Sequence, residues 1–452
     1  MGNVMTYKGH LRSILVLGLP LVGGHLAQFA IGVTDTIMIG WYGVNELAAA
    51  TLAQSYFFVF FMFGSGFAMA VMPMVAAAAA SNDETGIRRS TRMGMWLSLL
   101  FAILVMPAMW WSEPLLILLG QKPGVAADAQ TYLRVAGWGI IPALLVMVIK
   151  SYLAALERTQ IVFWITILAA LTNAVINYAL IFGNWGAPEL GLMGAAIASV
   201  VTQLVSLLAV IFYAARVLPE HALFQRLWRP DWEMFARVFR LGLPIGMTML
   251  SEVSLFTASA LMMGWIGTIP LAAHGIVVSI AGVTFMFHLG LSNAATIRAG
   301  NAFGRNDRDH LARGAVAVTC LSLAFASVTI VMFLTIPAQI IGLFLDSNES
   351  ARPEIIEAGI VLLAVAALFQ LVDGAQVIAL GLLRGVQDTT MPMVIAALSY
   401  WAVGIPSSYV FGFVFDMGGP GIWIGLVLGL SCAGIFLMTR FWSRTLPSVA
   451  IS

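Results

Sequence analysis

Residues 18–49 read GLPLVGGHLAQFAIGVTDTIMIGWYGVNELAA, and residues 242–273 read GLPIGMTMLSEVSLFTASALMMGWIGTIPLAA. The two stretches align without a gap, each residue lying 224 positions from its counterpart. The same offset relates Asn82-Asp83 to Asn306-Asp307, in the loop after the second apolar run of each half. A fixed offset shared by separate segments predicts a chain built from two related halves.

A second set of matches lies near the end of each half, where the offset becomes 227 residues. It pairs Leu156 and Gln160 with Leu383 and Gln387, Ala169-Ala170-Leu171 with Ala396-Ala397-Leu398, and Gly191 and Gly194 with Gly418 and Gly421. The repeat therefore extends over almost the whole length of each half.

The composition places the chain in a membrane. Hydrophobic residues make up 60% of its 452 residues and charged residues only 10%, whereas a soluble domain carries roughly 25% charged residues. The net charge is only +1. This argues against a nucleic-acid-binding protein, which requires a strongly basic face. The two cysteines, Cys320 and Cys432, lie in apolar runs and are expected to be small buried side chains.

Twelve apolar runs are long enough to cross a bilayer as helices. They are predicted at residues 12–38, 47–79, 93–115, 130–153, 161–184, 190–215, 240–266, 271–299, 312–344, 356–383, 392–414 and 418–440. The predicted fold class is an all-α membrane protein with two six-helix lobes, at 1–218 and 240–452, and a cytoplasmic linker at 219–239. Each half has six helices, an even number, so the chain enters the membrane from the same side at the start of both halves. This predicts a pseudo-twofold axis along the membrane normal.

The distribution of basic residues predicts the orientation. Of the 22 Lys and Arg residues, all but Lys122, Arg134 and Arg352 fall on one side of the predicted spans. Because cytoplasmic loops are enriched in Lys and Arg, we expect both termini to be cytoplasmic and the protein to be a multi-pass protein of a cytoplasmic membrane.

Three acidic residues, Asp35, Glu252 and Asp373, fall well inside predicted spans, and no Lys or Arg is expected at comparable depth. An ionised carboxylate at the centre of a membrane helix costs about 2.5–3.5 kcal/mol on insertion scales. With no basic partner expected, the compensating positive charge must come from solution. A proton, a metal ion and a cationic substrate all remain possible.

Polar residues accompany these acids. At the 224-residue offset Glu252 lies opposite Gln28 and Asp35 opposite Ser259, so each half carries a polar pair two helical turns apart. Asn173 and Asn177 place two amides on one face of the fifth helix, where they could ligate a cation, hold Asp35 or bond between helices. The remaining members of the candidate site flank Asp373 by one turn on either side; they are Gln370 and Gln376.

Taken together, several motifs resemble those of the multidrug and toxic compound extrusion family, particularly its bacterial NorM-type branch, over essentially the whole chain. The motifs are LGLP at 17–20 and 241–244, Asp35-Thr36 running into Gly40, Thr172 to Asn177, Ser251-Glu252, Asp373 to Gln376, and Leu383 to Asp388.

The resemblance implies a V-shaped pair of lobes and drug efflux driven by inward movement of Na+ or H+, with no cofactor. It implies that Glu252 and Asp373 form a cation site, here assigned to Na+, and that Asp35, Asn173 and Asn177 form an acidic cluster in the first lobe. Some relatives carry a tyrosine one turn before the tenth-helix aspartate, where this chain has Phe369; a possible ligand is missing there.

We therefore expect a monomeric antiporter of lipophilic organic cations in the bilayer, neither an enzyme nor a nucleic-acid binder. A flippase for lipid-linked oligosaccharides shares the two-lobe plan, but a cavity for pyrophosphate would carry basic residues. A major-facilitator transporter would show a characteristic acidic–basic signature in the loop after the second helix, and residues 81–93 do not match it convincingly. An intramembrane enzyme would show paired catalytic groups such as HExxH, and the sequence contains none.

Overall fold

The computed structural model describes residues 5–345 and 350–449, and all regular secondary structure in these ranges is helical. Within these ranges, twelve helices are long and apolar enough to cross a membrane, as predicted. They are α1 (Tyr7–Tyr42), α2 (Asn45–Ala80), α3 (Glu84–Trp110), α4 (Pro123–Ala155), α5 (Thr159–Phe182), α6 (Leu192–Val217), α7 (Trp232–Ile266), α8 (Thr268–Gly304), α9 (Arg308–Thr335), α10 (Arg352–Gly385), α11 (Thr390–Val414) and α12 (Gly418–Ser448). The predicted position of the two termini concerns residues 1–4 and 450–452, which lie outside the described residues.

The helix ends follow local capping chemistry more closely than hydropathy. Helix α3 begins at Glu84, well before the predicted residue 93, because the Asp83 carboxylate accepts a hydrogen bond of 2.8 Å from the backbone amide of Gly86. Helix α9 ends at Thr335, where a short separate helix begins with Pro337 as its first residue. A proline there cannot donate the backbone bond that would continue α9.

The repeat is visible in the turns as well as in the sequence. Asn82 and Asn306 both adopt a left-handed conformation, with φ of 56° and 53°. The next residue, Asp83 or Asp307, caps the following helix in both halves, and Asp307 accepts a bond of 2.9 Å from His310. The 224-residue offset is confirmed at this position.

The predicted 227-residue offset holds at the last helix of each half. Gly194 packs against the backbone of Leu180, and Gly421 packs against the backbone of Phe411. The offset is wrong at the turn that precedes α5 and α11, where Glu157 and Gln387 hold the same left-handed position, 230 residues apart. Two π-helical segments within α11, Ser399–Gly404 and Val410–Val414, alter its register relative to α5.

The described chain forms two compact units. One contains residues 5–22 and 247–449, the other residues 23–246. The boundaries cut α1 after Val22 and α7 after Gly246, positions that are themselves 224 residues apart. The units therefore differ from a simple division of the chain into lobes at 1–218 and 240–452, since the first part of α1 and the first part of α7 are each grouped with the other half.

The first parts of α1 and α7 are thus exchanged between the two units, and close packing at glycine residues explains this exchange. In one unit a Cβ at Gly18 would lie 3.3 Å from Leu291 of α8, and Gly290 lies directly against the backbone of Val22. In the other, a Cβ at Gly66 of α2 would lie 2.6 Å from the Gly242 carbonyl oxygen of α7. Gly66 and Gly290 are equivalent in the repeat, so the same small residue receives the exchanged segment in both units.

The predicted linker also belongs to the unit of residues 23–246. Arg92 donates a hydrogen bond of 2.8 Å to the carbonyl oxygen of Leu223, and the Trp96 indole donates one of 2.6 Å to that of Leu227. Arg89 binds Asp231, and Tyr152 bonds to His221. These bonds fix the segment to α3 and α4.

Replacing Gly66 by alanine should destabilise the protein by about 1–3 kcal/mol, because the added methyl group would meet backbone atoms of α7 that no change of rotamer can move. Gly275→Ala on α8 is the matched control, since a Cβ there has nothing within 4 Å. Thermal unfolding followed by tryptophan fluorescence in detergent measures both. Equal unfolding temperatures for the two variants would contradict the packing argument.

Candidate functional site

The unit of residues 23–246 contains a buried acid–amide cluster. Asp35 of α1 accepts a hydrogen bond of 2.5 Å from the Nδ2 of Asn177 on α5, and the same nitrogen lies 3.1 Å from the Oδ1 of Asn173. All three side chains are buried. The structure therefore brings together the three residues predicted for the first half, and the Asn pair holds the carboxylate.

Neighbouring polar groups extend this cluster. Tyr132 of α4 is buried close enough to Asp35 to interact with its charge, and its hydroxyl also interacts with Gln54 and Ser199. The Oδ1 of Asn177 is buried and has no hydrogen-bond donor among the described residues. One polar atom of the cluster is thus left for a proton donor or a cation.

The other unit contains a second acidic cluster. Glu252 of α7 and Asp373 of α10 are close enough for their charges to interact. Both charges also act on the hydroxyl group of Tyr400 of α11. Gln376, one turn after Asp373, donates a hydrogen bond of 2.5 Å to the Tyr400 hydroxyl. Asp373 is buried, whereas Glu252 stays partly accessible.

Several buried polar atoms around Asp373 have no partner among the described residues. They are Oδ2 of Asp373, Oε1 of Gln376, and both amide atoms of Gln370. A buried polar atom without a partner costs about 1–3 kcal/mol. One face of α10, over about two helical turns, therefore presents unsatisfied oxygens around the Asp373 carboxylate.

Comparison with known proteins agrees with the motifs and the fold. The MatE family profile matches residues 20–179 and 244–410. The chain is 46% identical to a probable multidrug resistance protein NorM from Rhizobium meliloti, over 97% of this chain and 94% of that one, and 41% identical to its namesake from Agrobacterium fabrum, over 96% and 94%. The chain belongs to the multidrug and toxic compound extrusion family.

Solved structures of the family share its fold. The eukaryotic MATE transporter AtDTX14 superposes with a TM-score of 0.87 at 17% identity, covering 98% of each chain. A crystal structure of MATE in complex with MaL6 gives 0.88 at 19% identity, covering 98% of each. The expected all-α fold is thereby confirmed for this family member, while the predicted symmetry axis stays a prediction.

Arg384 corrects the expectation that the intramembrane acids have no basic neighbour. It lies near the end of α10, is buried, and interacts electrostatically with Glu252. The sequence does not predict this contact, because Arg384 lies about three helical turns after Asp373 and is expected on the cytoplasmic side. Glu252 therefore has a positive neighbour, whereas the charged neighbour of Asp373 among the described residues is the acid Glu252.

Tyr400 is the functional candidate that sequence reasoning missed. The expected hydroxyl was absent at Phe369, whose ring instead packs against Phe256 and Trp423. Tyr400 supplies a hydroxyl to the same cluster from α11. Its signal in the sequence is weak, a tyrosine in an apolar run, and only the packing of α11 against α12 directs it inward.

The remaining predicted residues contribute less. Gln28 is exposed, and the Ser259 hydroxyl donates to the carbonyl oxygen of Phe256 in its own helix. The predicted i, i+7 pairs therefore do not each form a site. His274 accepts a bond of 3.1 Å from Trp423, and His288 bonds to Ser322. Among the described residues no group of three or more His, Cys, Asp or Glu side chains lies close enough to hold a metal ion.

Tyr400→Phe should lower the unfolding free energy by about 1–3 kcal/mol, since it leaves the buried Gln376 amide without its acceptor. Tyr409→Phe on the same helix is the control, because Tyr409 is 50% exposed. Thermal unfolding of both variants in detergent checks the difference. A Tyr400→Phe protein as stable as Tyr409→Phe would show that the hydroxyl contributes nothing to the cluster.

Proposed function

We propose that this protein exports lipophilic organic cations by exchanging them for H+ or Na+ at its buried carboxylates. The observation that carries the proposal is Asp373, a buried acid with an unpartnered oxygen and a second acid, Glu252, as its charged neighbour. Two carboxylates whose charges interact in a medium of low dielectric constant each disfavour the ionised form of the other. A proton or a cation taken up at Asp373 relieves this repulsion.

The chemistry of the cluster suits either coupling ion. A proton can reside on Asp373 and bond to a neighbouring amide oxygen. A hard cation such as Na+ prefers oxygen ligands, and the carboxylates, the Gln376 and Gln370 carbonyl oxygens and the Tyr400 hydroxyl supply them on three helices. Glu252 and Asp373 would be the charged ligands and the remaining groups neutral ones.

Exchange follows from competition for one negative charge. When Asp373 binds the coupling ion, the cluster loses its affinity for an organic cation, and when the ion leaves, the affinity returns. A ligand can drive the transport cycle only through such a difference in affinity between two states. We assign Asp35, with Asn173 and Asn177, to a second cation-binding position, since its carboxylate has amide donors but no basic partner in the part of the chain that the structure describes.

The same balance of charge argues against a flippase of anionic, lipid-linked sugars. Arg384, the basic residue at the second cluster, is matched by Glu252 and leaves no surplus positive charge for a pyrophosphate. The names of the relatives, which refer to multidrug resistance, point in the same direction. We place the protein as a monomer in the inner membrane, with cytoplasmic termini and no enzymatic activity.

Efflux measured in proteoliposomes tests the proposal directly. Ethidium is loaded, and a Na+ gradient and a pH gradient are imposed separately. Efflux that follows one of the two gradients identifies the coupling ion. Absence of gradient-dependent efflux for ethidium and for other cationic dyes would overturn the proposal.

Glu252→Gln and Asp373→Asn should each abolish gradient-dependent efflux, because an amide keeps the shape of the carboxyl group but cannot exchange a proton or neutralise a cation. Glu357→Gln is the matched control, an exposed acid on α10, the helix that carries Asp373. Initial efflux rates at equal protein content are compared. Normal coupled efflux by both site variants would show that the assignment of the site is wrong.

A further inference from the structure

The first turns of α1 dock on α8 and α9 through a cluster that the transport proposal does not use. One terminal nitrogen of Arg298 on α8 lies 3.2 Å from Nδ1 of His10 on α1 and 2.8 Å from Nε2 of His310 on α9. The two imidazole rings are 4.5 Å apart. We call His10, Arg298 and His310 the histidine latch.

The protonation state of both histidines follows from the donor. A guanidinium group has only N–H donors and cannot accept a hydrogen bond. Each ring nitrogen that faces Arg298 must therefore be unprotonated and accept the bond, so both imidazoles are neutral in this arrangement. Protonation of either ring replaces an acceptor with a donor and places an imidazolium beside a guanidinium.

The surroundings offer little compensation for such a charge. The charged groups that act on the two histidines are Arg298 of α8, Arg305 and Asp307 between α8 and α9, and Arg313 of α9. Asp307 is the single acid among them, and it already caps α9 through the His310 backbone amide. His10 itself is fully buried, and its Nε2 has no partner among the described residues.

The equivalent first part of α7 is held by ion pairs with carboxylates instead of by hydrogen bonds to histidines. Arg89 of α3 lies 3.1 Å from an Asp231 oxygen and 3.0 Å from Glu233, and we call these three residues the acidic latch. The repeat equates Arg89 with Arg313, which here bonds the Met5 carbonyl oxygen and covers the Tyr7 ring. At the positions equivalent to His10, Arg298 and His310, the unit of residues 23–246 has residues without a titratable side chain, namely Met234, Met74 and Gly86.

The two latches must respond differently to pH. The hydrogen bond from Arg89 holds the pKa of Asp231 below its ordinary value, so this carboxylate stays ionised and its contribution is lost only as the pH falls through that lowered value. The ordinary pKa of histidine, about 6.5, lies within the physiological range. Neutral imidazoles support the histidine latch above that range, and protonation removes this support as the pH falls.

We propose that the histidine latch is a proton-binding site that releases the first part of α1 from α8 and α9 on acidification, while the first part of α7 stays docked. Because α1 continues to Asp35, the state of this latch bears on the helix that carries the first acidic cluster. The proposal is independent of which substrate or coupling ion the protein uses.

Hydrogen–deuterium exchange in lipid nanodiscs tests it without any transport assay. Amide exchange of residues 7–22, divided by that of residues 232–246 to remove the intrinsic effect of pH, is expected to rise about tenfold between about pH 8 and about pH 5. A ratio that does not change with pH, or two segments that loosen together, would overturn the proposal.

Variants separate the latch from general acid destabilisation. In His10→Asn with His310→Gln, amide oxygens stand at the positions of the two accepting nitrogens and do not titrate, so the rise should vanish. His274→Gln, a buried histidine of α8 bonded to Trp423, is the control and should keep it. Arg298→Met introduces the residue found at the equivalent position of α2. In this variant residues 7–22 should already exchange fast at about pH 8, and the exchange ratio should not rise further as the pH falls. A pH response that survives in both latch variants would overturn the assignment.

Discussion

The close approach of helix backbones at Gly66 and Gly290 determines how this chain is organised. A side chain at either position would collide with the exchanged segment of α7 or α1, so the first part of each of these helices can dock only because the receiving helix has no Cβ there. The LGLP motifs contribute the other side of the contact, with Gly18 against Leu291 and Gly242 against Phe67. Each compact unit therefore consists of most of one half of the chain and the leading segment of the other.

Because of this exchange, α1 and α7 each contribute residues to both units. Each helix is anchored in one unit at its start and carries an acid in the other, Asp35 on α1 and Glu252 on α7. Pro20 and Pro244 stand two residues before the two boundaries, and a proline inside a helix removes one backbone hydrogen bond. Each proline therefore weakens the backbone hydrogen bonding of its helix close to the residue at which the chain passes from one unit to the other.

Much of this could be predicted from the sequence, because the signals were local or periodic. Helix number follows from long apolar runs, and the repeat follows from residues whose backbone roles cannot be changed, such as Asn82 with Asp83. The Asp35–Asn177 contact could be anticipated from polar residues isolated in apolar helices. The approach of Arg384 and Tyr400 to Glu252 could not, because it depends on how α7, α10 and α11 pack, and on π-helical segments that shift the register of α11.

The two halves are alike where backbone geometry is required and different where charge is buried. Duplicated positions keep glycine at the helix contacts and aspartate at the helix caps, since a larger residue at the contacts would cost packing and a residue without a side-chain acceptor at the caps would cost a hydrogen bond. Side chains that face the buried clusters have no such constraint. One half holds a single acid with amides and a tyrosine, while the other holds two acids, a tyrosine and an arginine. The same division separates the acidic latch from the histidine latch. A duplicated scaffold with unlike ionisable groups can therefore respond to a proton in one half and not in the other, because a proton shifts an equilibrium only where it binds two states with different affinity.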